Sequence, residues 1–318
     1  MMWKRLLSVA ASLVAACMVN GCGTSGAISS VMHSPPPPAQ SRLYLEQLGM
    51  DGAGAIAIFA LPITSASKPL GSIPLTDGTV IGLTFDPTGR LFATGQSGDL
   101  VFTQPIAAGS TPAFAVATGS VSAENLAFDR AGDLFSGGGI PFRCGFHECA
   151  NAAIAVANSP INNSSTSSFT IGGSVAGFVT GLAFDGNGNL WVADGNLDEF
   201  VPPFSSSSTP ALSLGTPSYS IAFDPSGAMY VSSSDGVDVY RPPFSASMTK
   251  AFSIAAAAYA DYIAFDPAGN MYITLNNSST RHGELEMFTP PFGSTSQPAV
   301  TLQGTTDDSW YYGVAIGP

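Results

Sequence analysis

Residues 182–193 read LAFDGNGNLWVA: an apolar and aromatic run ending in aspartate, a short polar break closed by glycine, then a second apolar and aromatic run. Two such runs around a turn signal describe a β-hairpin. The pattern recurs as LTFDPTGRLFAT at 83–94, LAFDRAGDLFSG at 126–137, IAFDPSGAMYVS at 221–232 and IAFDPAGNMYIT at 263–274. The aspartates Asp86, Asp129, Asp185, Asp224 and Asp266 are separated by 43, 56, 39 and 42 residues. A third run follows and usually ends at proline (DLVFTQP, DEFVPP, DVYRPP, LEMFTPP). A fourth, weaker one closes the unit (PAFAVAT, ALSLG, AFSIA, PAVTLQG). Four short strands in a repeat of about 40 residues describe a β-propeller blade.

The ends set the blade count. Residues 42–62 (RLYLEQLGMDGAGAIAIFALP) match the second and third strands with no first strand before them, and residues 312–318 (YGVAIGP) match a first strand and stop. One blade is therefore expected to be assembled from both termini, which closes the ring and removes any open sheet edge. The expectation is an all-β, six-bladed propeller of four-stranded blades over residues 42–318, as one domain.

Composition agrees with that class. The 318 residues are 45% hydrophobic and only 10% charged, with 35 glycines and 24 prolines. A disordered chain would be more charged and less apolar, and a helical bundle would need more Lys, Glu and Arg. Ten basic residues against 22 acidic ones, a formal charge of −12, argue against nucleic acid as a partner.

The N-terminus reads as an address. Lys4 and Arg5 precede the apolar run Leu6 to Val19, too short for a comfortable membrane span and suited to a secretory signal. Small residues lead into cysteine twice, at Cys17 and at Cys22. Both resemble the bacterial lipobox, in which a nucleophilic thiolate takes up a lipid before the signal is cut. Cys22 is preferred because Gly21 precedes it and Gly-Thr-Ser-Gly follows. Cys17 is the alternative, and an ordinary secretory signal without lipid is the plainer reading. This divides the chain into a signal at 1–22, a tether at 23–41 extended by Pro35 to Pro38, and the propeller. Loss of Lys4 and Arg5 leaves eight basic residues against 22 acidic ones. An anionic domain is repelled by anionic headgroups, so membrane contact is expected through the lipid anchor only, at the bacterial cell envelope. A monomer is expected.

The repeats resemble the NHL type and, more broadly, six-bladed propellers that include gluconolactonase-like enzymes. NHL repeats usually carry a basic residue in the third strand; here Asp198, Asp238 and Glu284 occupy that region, so RNA binding is not implied. The gluconolactonase resemblance implies a divalent ion, such as Ca²⁺, at one mouth of the channel, held just before the innermost strands. Those positions are Ile81, Glu124, Thr180, Tyr219, Asp261 and Tyr312, with Asn125, Tyr262, Trp310 and Tyr311 alongside. Glu124 and Asp261 stand three blades apart and break the repeat symmetry, as a site should. They are the candidate metal ligands, with Thr180 and water. A solvated polar rim without metal is the plain alternative, and the resemblance's fuller Glu/Asn/Asp set is not present.

Other residues carry less. The turn aspartates recur in every full copy, which a structural role predicts. Pro-Pro-Phe at 202–204, 242–244 and 290–292 should end a third strand and pack phenylalanine between blades. Cys144 and Cys149 flank Gly-Phe-His-Glu and most simply form a disulfide, worth about 2 kcal/mol. The sharper alternative is a metal or redox site using His147 and Glu148. The stretch 137–168 reads as a long loop and a recognition element, and the Asn276 and Asn277 sequons as loop chemistry. No nucleophile elbow or phosphate loop is found. A binding or scaffolding module for an envelope protein, peptide or glycan is therefore favoured, using the rim residues Thr180, Tyr219, Tyr262, Trp310 and Tyr312. The alternative is a metal-dependent lactonase or related hydrolase.

Overall fold

The computed structural model describes residues 41–49, 54–75, 81–144, 147–215, 218–277, 282–304 and 309–318. The expected signal, both candidate lipobox cysteines and all of the expected tether but Ser41 lie outside the described residues. Strands β1 (Arg42–Gly49), β2 (Gly54–Ala60) and β3 (Gly71–Leu75) come first. Five four-stranded blades follow, named II to VI. Blade II comprises β4 (Leu83–Phe85), β5 (Leu91–Ala93), β6 (Asp99–Phe102) and β7 (Phe114–Val116). Blade III comprises β8 (Ser122–Phe128), β9 (Leu134–Cys144), β10 (His147–Ala157) and β11 (Phe169–Ala176). Blade IV comprises β12 (Gly181–Phe184), β13 (Leu190–Ala193), β14 (Leu197–Phe200) and β15 (Leu212–Leu214). Blade V comprises β16 (Ile221–Phe223), β17 (Met229–Ser233), β18 (Gly236–Tyr240) and β19 (Phe252–Ala255). Blade VI comprises β20 (Tyr259–Phe265), β21 (Met271–Asn277), β22 (His282–Phe288) and β23 (Val300–Gln303).

The last strand, β24 (Ser309–Gly317), runs antiparallel to β1, with Arg42 opposite Gly317 and Leu45 opposite Val314. Blade I is thus β24-β1-β2-β3, and the Tyr44 hydroxyl donates to the Pro318 carbonyl at 2.8 Å. The expected six-bladed, all-β propeller closed by both ends of the domain is what the chain forms.

The middle strands are apolar on both faces because each blade is covered by its neighbours. In β13, Leu190, Trp191, Val192 and Ala193 are all buried, as are Leu91, Phe92 and Ala93 in β5. Continuous runs rather than alternation are what two-sided burial demands. The phenylalanine after each Pro-Pro pair fills the seam between blades. Phe204 meets Phe135 of blade III and Phe184 of blade IV edge-on at 5.3 and 6.0 Å. Phe244 likewise meets Trp191 and Phe223, and Phe292 meets Tyr230 and Phe265. Each third strand is followed by a cis X–Pro bond.

The repeated aspartates are turn devices. Asp86 Oδ1 accepts from the amides of Thr88 and Arg90 at 3.0 and 2.8 Å, and Asp185 and Asp224 repeat this pattern. The glycine three residues on has φ between 81° and 89° in all five copies, a region closed to most side chains.

One expectation is corrected. Most of residues 137–168 is not a loop: β9 and β10 pair continuously from Leu134↔Ala157 to Cys144↔His147. The hairpin can continue because Gly137, Gly138 and Gly139 admit close neighbours. A Cβ on Gly138 would sit 1.8 Å from the Ser122 carbonyl oxygen. The side chains of Cys144, His147, Glu148 and Cys149 lie outside the described residues. Backbone register puts Cys144 opposite His147 and Cys149 opposite Phe142.

Candidate functional site at the channel mouth

The inner strands all run from one face of the ring to the other. Their first residues define the mouth, and the aspartate turns lie on the opposite face. Between them runs a channel of about 280 Å³, walled by Leu83, Leu126, Leu182, Ile221, Ile263 and Val314, one from each blade. Ile81, Glu124, Thr180, Tyr219, Asp261 and Tyr312 are all partly exposed where the inner strands begin.

One residue further in, the ring reads Gly82, Asn125, Gly181, Ser220, Tyr262 and Gly313. Three of these are glycine because the inner strands crowd together here. A Cβ on Gly82 would lie 2.6 Å from the Glu124 carbonyl oxygen, and one on Gly313 the same distance from that of Ile81. Into the space left by these residues Tyr262 extends from blade VI. Its hydroxyl donates to the Glu124 carbonyl in blade III at 3.0 Å, while the Asn125 amide reaches the Thr180 carbonyl at 3.2 Å. Tyr262 and Asn125 thereby line the mouth end of the channel.

Three blades differ from the others at this level. In blade I, Tyr312 and Gly313 together face the single residue Glu46, a β-bulge between Leu45↔Val314 and Gln47↔Tyr311. In blade VI, Asp261 and Tyr262 together face Thr274. In blade III, Glu124 is the extra residue between Ala123↔Gly138 and Asn125↔Gly137. A bulge re-aims the side chains it carries. These three deliver Tyr312, Asp261 with Tyr262, and Glu124 to the mouth. The same blades have the longest second strands, eight, eleven and seven residues in β1, β9 and β21 against three, four and five in β5, β13 and β17. Their hairpins rise on the mouth side. Phe142, near the tip of the blade III hairpin, is 40% exposed.

The electrostatics are those of acids held among phenols. Burial pushes the Asp261 carboxyl up to about 7, against one opposing hydrogen bond from the Asn276 amide. Burial also raises Glu124. The charge of Asp261 acts on Tyr259, Tyr262 and Tyr312, and together with their burial it holds all three phenols up. Tyr219 packs edge-on against Tyr259 at 4.8 Å. Asn276 is fixed in turn by the Tyr311 backbone, donating to its carbonyl at 2.8 Å and accepting from its amide at 2.9 Å.

Sequence reading missed three contributors. Asn276, expected as loop chemistry, lies in β21, and Tyr259 stands two residues before the rim position. The third is Glu46, fully buried, with neither carboxylate oxygen hydrogen-bonded among the described residues and a carboxyl pushed well up by desolvation. Its charge acts on Tyr262 and Tyr312. Aligning RLYLE at 42–46 with RLFAT at 90–94 and NMYIT at 270–274 would have found it, because Glu46 then occupies the place of Thr94 and Thr274. Those hydroxyls accept from inner-strand amides: Thr94 from Ile81 and Gly82 at 2.9 and 3.0 Å, Thr274 from Tyr262 at 3.0 Å. Trp310, expected at the rim, is half-buried in β24 opposite Leu48.

For a metal, the donor set is thin. Among the described residues no three acidic, histidine or cysteine side chains gather closely enough to hold an ion. Calcium takes six to eight oxygens, so an ion between Glu124 and Asp261 would depend on carbonyls, Thr180 and water for the rest.

No family model matches the chain, and no curated protein matches it in sequence. Solved structures share the fold. A Bacteroides caccae protein of unknown function superposes with a TM-score of 0.60 at 12% identity, covering 87% of this chain and 98% of its own. A functionally unknown protein from Desulfotomaculum acetoxidans gives 0.53 at 12% identity, covering 86% and 89%. A candidate gluconolactonase gives 0.51 at 14% identity, covering 75% and 90%. The resemblance drawn from the repeats therefore holds for the architecture.

Proposed function

We propose that this six-bladed propeller is a binding module that receives a protein segment, peptide or glycan at its channel mouth, and that it is exported and held at a bacterial envelope by a lipid on Cys22, with Cys17 the alternative. One observation carries the binding reading. The three blades whose bulges turn Glu124, Asp261, Tyr262 and Tyr312 toward the mouth are also the three whose hairpins rise around it. A rigid ring gives these groups fixed positions at little ordering cost, which favours recognition. Rim tyrosines offer flat contact area together with a hydrogen-bonding hydroxyl.

The test is retention of envelope-extract components by the immobilised full chain, compared with Tyr312→Ala and Phe142→Ser variants. Retention lost in both variants supports the reading; retention indifferent to both removes the mouth from the function. The hydrolase alternative, with an ion between Glu124 and Asp261, is separated by calorimetric titration of Ca²⁺ beside the Glu124→Gln/Asp261→Asn double variant. Saturable binding abolished in the double variant, with lactone turnover, would replace our reading.

A further inference from the structure

We infer that the ligand group seated at the channel mouth is an organic ammonium, held against Asp261 inside a box of tyrosine rings. The inference rests on the mouth-binding reading and narrows it to a chemical class. Its basis is a mismatch in charge. Three acids, Glu46, Glu124 and Asp261, act on the one phenol of Tyr262, and among the described residues no lysine or arginine forms an ion pair with any of them. Glu46 is the sharpest case. Among the described residues it is fully buried with neither oxygen hydrogen-bonded, it faces Tyr312 and Gly313 across the blade I bulge, and the other blades place a hydroxyl or a small residue there. A buried acid without a partner is costly and stays where something returns the cost.

The surroundings select the kind of cation. Tyr259 and Tyr262 stand within two residues of Asp261 in β20, Asn276 bonds both Asp261 and the Tyr311 carbonyl next to Tyr312, and Tyr219 packs on Tyr259 at 4.8 Å. Ring faces attract ammonium groups through the quadrupole, more strongly where water is excluded, and cages of this composition recognise alkylated amines. A small hard ion would want a shell of oxygens in place of rings. The chain's formal charge of −12 would also raise the local concentration of a cationic ligand. A quaternary headgroup and a lysine side chain both present this chemistry.

The experiment titrates the full chain with two matched pairs: choline against its neutral isostere 3,3-dimethylbutanol, and N-acetyl-lysine methylamide against its norleucine counterpart. At least one cation should bind tenfold or more tightly than its isostere, and Asp261→Asn should remove at least that advantage. Tyr312→Leu should weaken the cation several-fold. The first pair exceeding the second identifies a quaternary group, the reverse a lysine. Equal binding of cation and isostere, or cation binding untouched by Asp261→Asn, overturns the inference. Thermal melts confirm that each variant is folded, and Tyr312→Leu gives a second test should Asp261→Asn unfold. If a neutral peptide or glycan binds in a Tyr312-dependent way while both cations fail, the ammonium inference falls and the mouth-binding reading stands. If nothing binds at the mouth, both fall.

Discussion

The Tyr262 hydroxyl donates to the main-chain carbonyl of Glu124 at 3.0 Å, joining blade VI to blade III across the channel. Blades three apart have no shared seam, so this bond is a cross-tie within a ring otherwise held by neighbours. Tyr262→Phe removes the donor and leaves the carbonyl to water. The expected cost is about 1 kcal/mol. A denaturant melt read by near-ultraviolet circular dichroism measures it; an unchanged midpoint would show the tie to be energetically idle.

Glu46→Thr restores at blade I the residue type that blades II and VI carry. The new hydroxyl can accept from an inner-strand amide, as Thr94 and Thr274 do. The variant also removes a desolvated acid that has no hydrogen-bond partner among the described residues. Near pH 7.5 the substitution should stabilise the protein by about 2 kcal/mol. The gain should shrink toward about pH 3.5, one unit below the ordinary value of 4.5, where Glu46 carries its proton in both the folded and the unfolded chain. Equilibrium urea unfolding at the two pH values tests magnitude and sign together.

Stability of the whole domain should decline as pH rises. Burial pushes Asp99, Asp261 and Glu286 each up to about 7, from ordinary values of 3.8, 3.8 and 4.5. Below about pH 3 both states hold these protons, and above about pH 8 both have lost them. Between the two the unfolded chain releases protons that the folded one keeps, so folding weakens through that window. Asp86, held low by the Arg90 and Thr88 hydrogen bonds, acts in the opposite sense, below its ordinary value of 3.8. The melting temperature should therefore be several degrees higher at pH 5 than at pH 7.5, and Asp99→Asn should flatten the slope. A melting temperature that rose over this range would contradict the assignment.

Crowding at the inner ring predicts a contrast between two glycines. Gly82→Ala brings a methyl to 2.6 Å from the Glu124 carbonyl oxygen, whereas Gly186→Ala meets nothing within 4 Å. The first should cost about 2 kcal/mol and the second close to nothing. Thermal denaturation of the pair gives the comparison directly.

How far the sequence could be read follows from repetition. The aspartate turns and the aromatic seams were legible because each occurs several times and the copies correct one another, and the shared blade because its two pieces match parts of those copies. The rim positions followed from the same alignment. What escaped was whatever occurs once. Glu46 sits in the one blade whose first strand is supplied from the far end of the chain, so no Leu-Ala-Phe-Asp strand precedes it to mark its register with Thr94 and Thr274. The β9–β10 hairpin looked like a loop because its glycines and its missing Pro-Pro ending broke the pattern. Asn276 was hidden by its Asn-Ser-Ser surroundings, which read as loop chemistry, although the strand continues through it. Bulges leave no mark in composition, and they decide which rim residues turn inward.

The direction of β1 has a consequence for presentation. Arg42, where the strand starts, pairs with Gly317 on the face of the aspartate turns, and Gly49, where it ends, is on the side of the mouth. Ser41 therefore enters the ring on its underside, and a pull applied there would load the face opposite Glu124, Asp261 and the tyrosines.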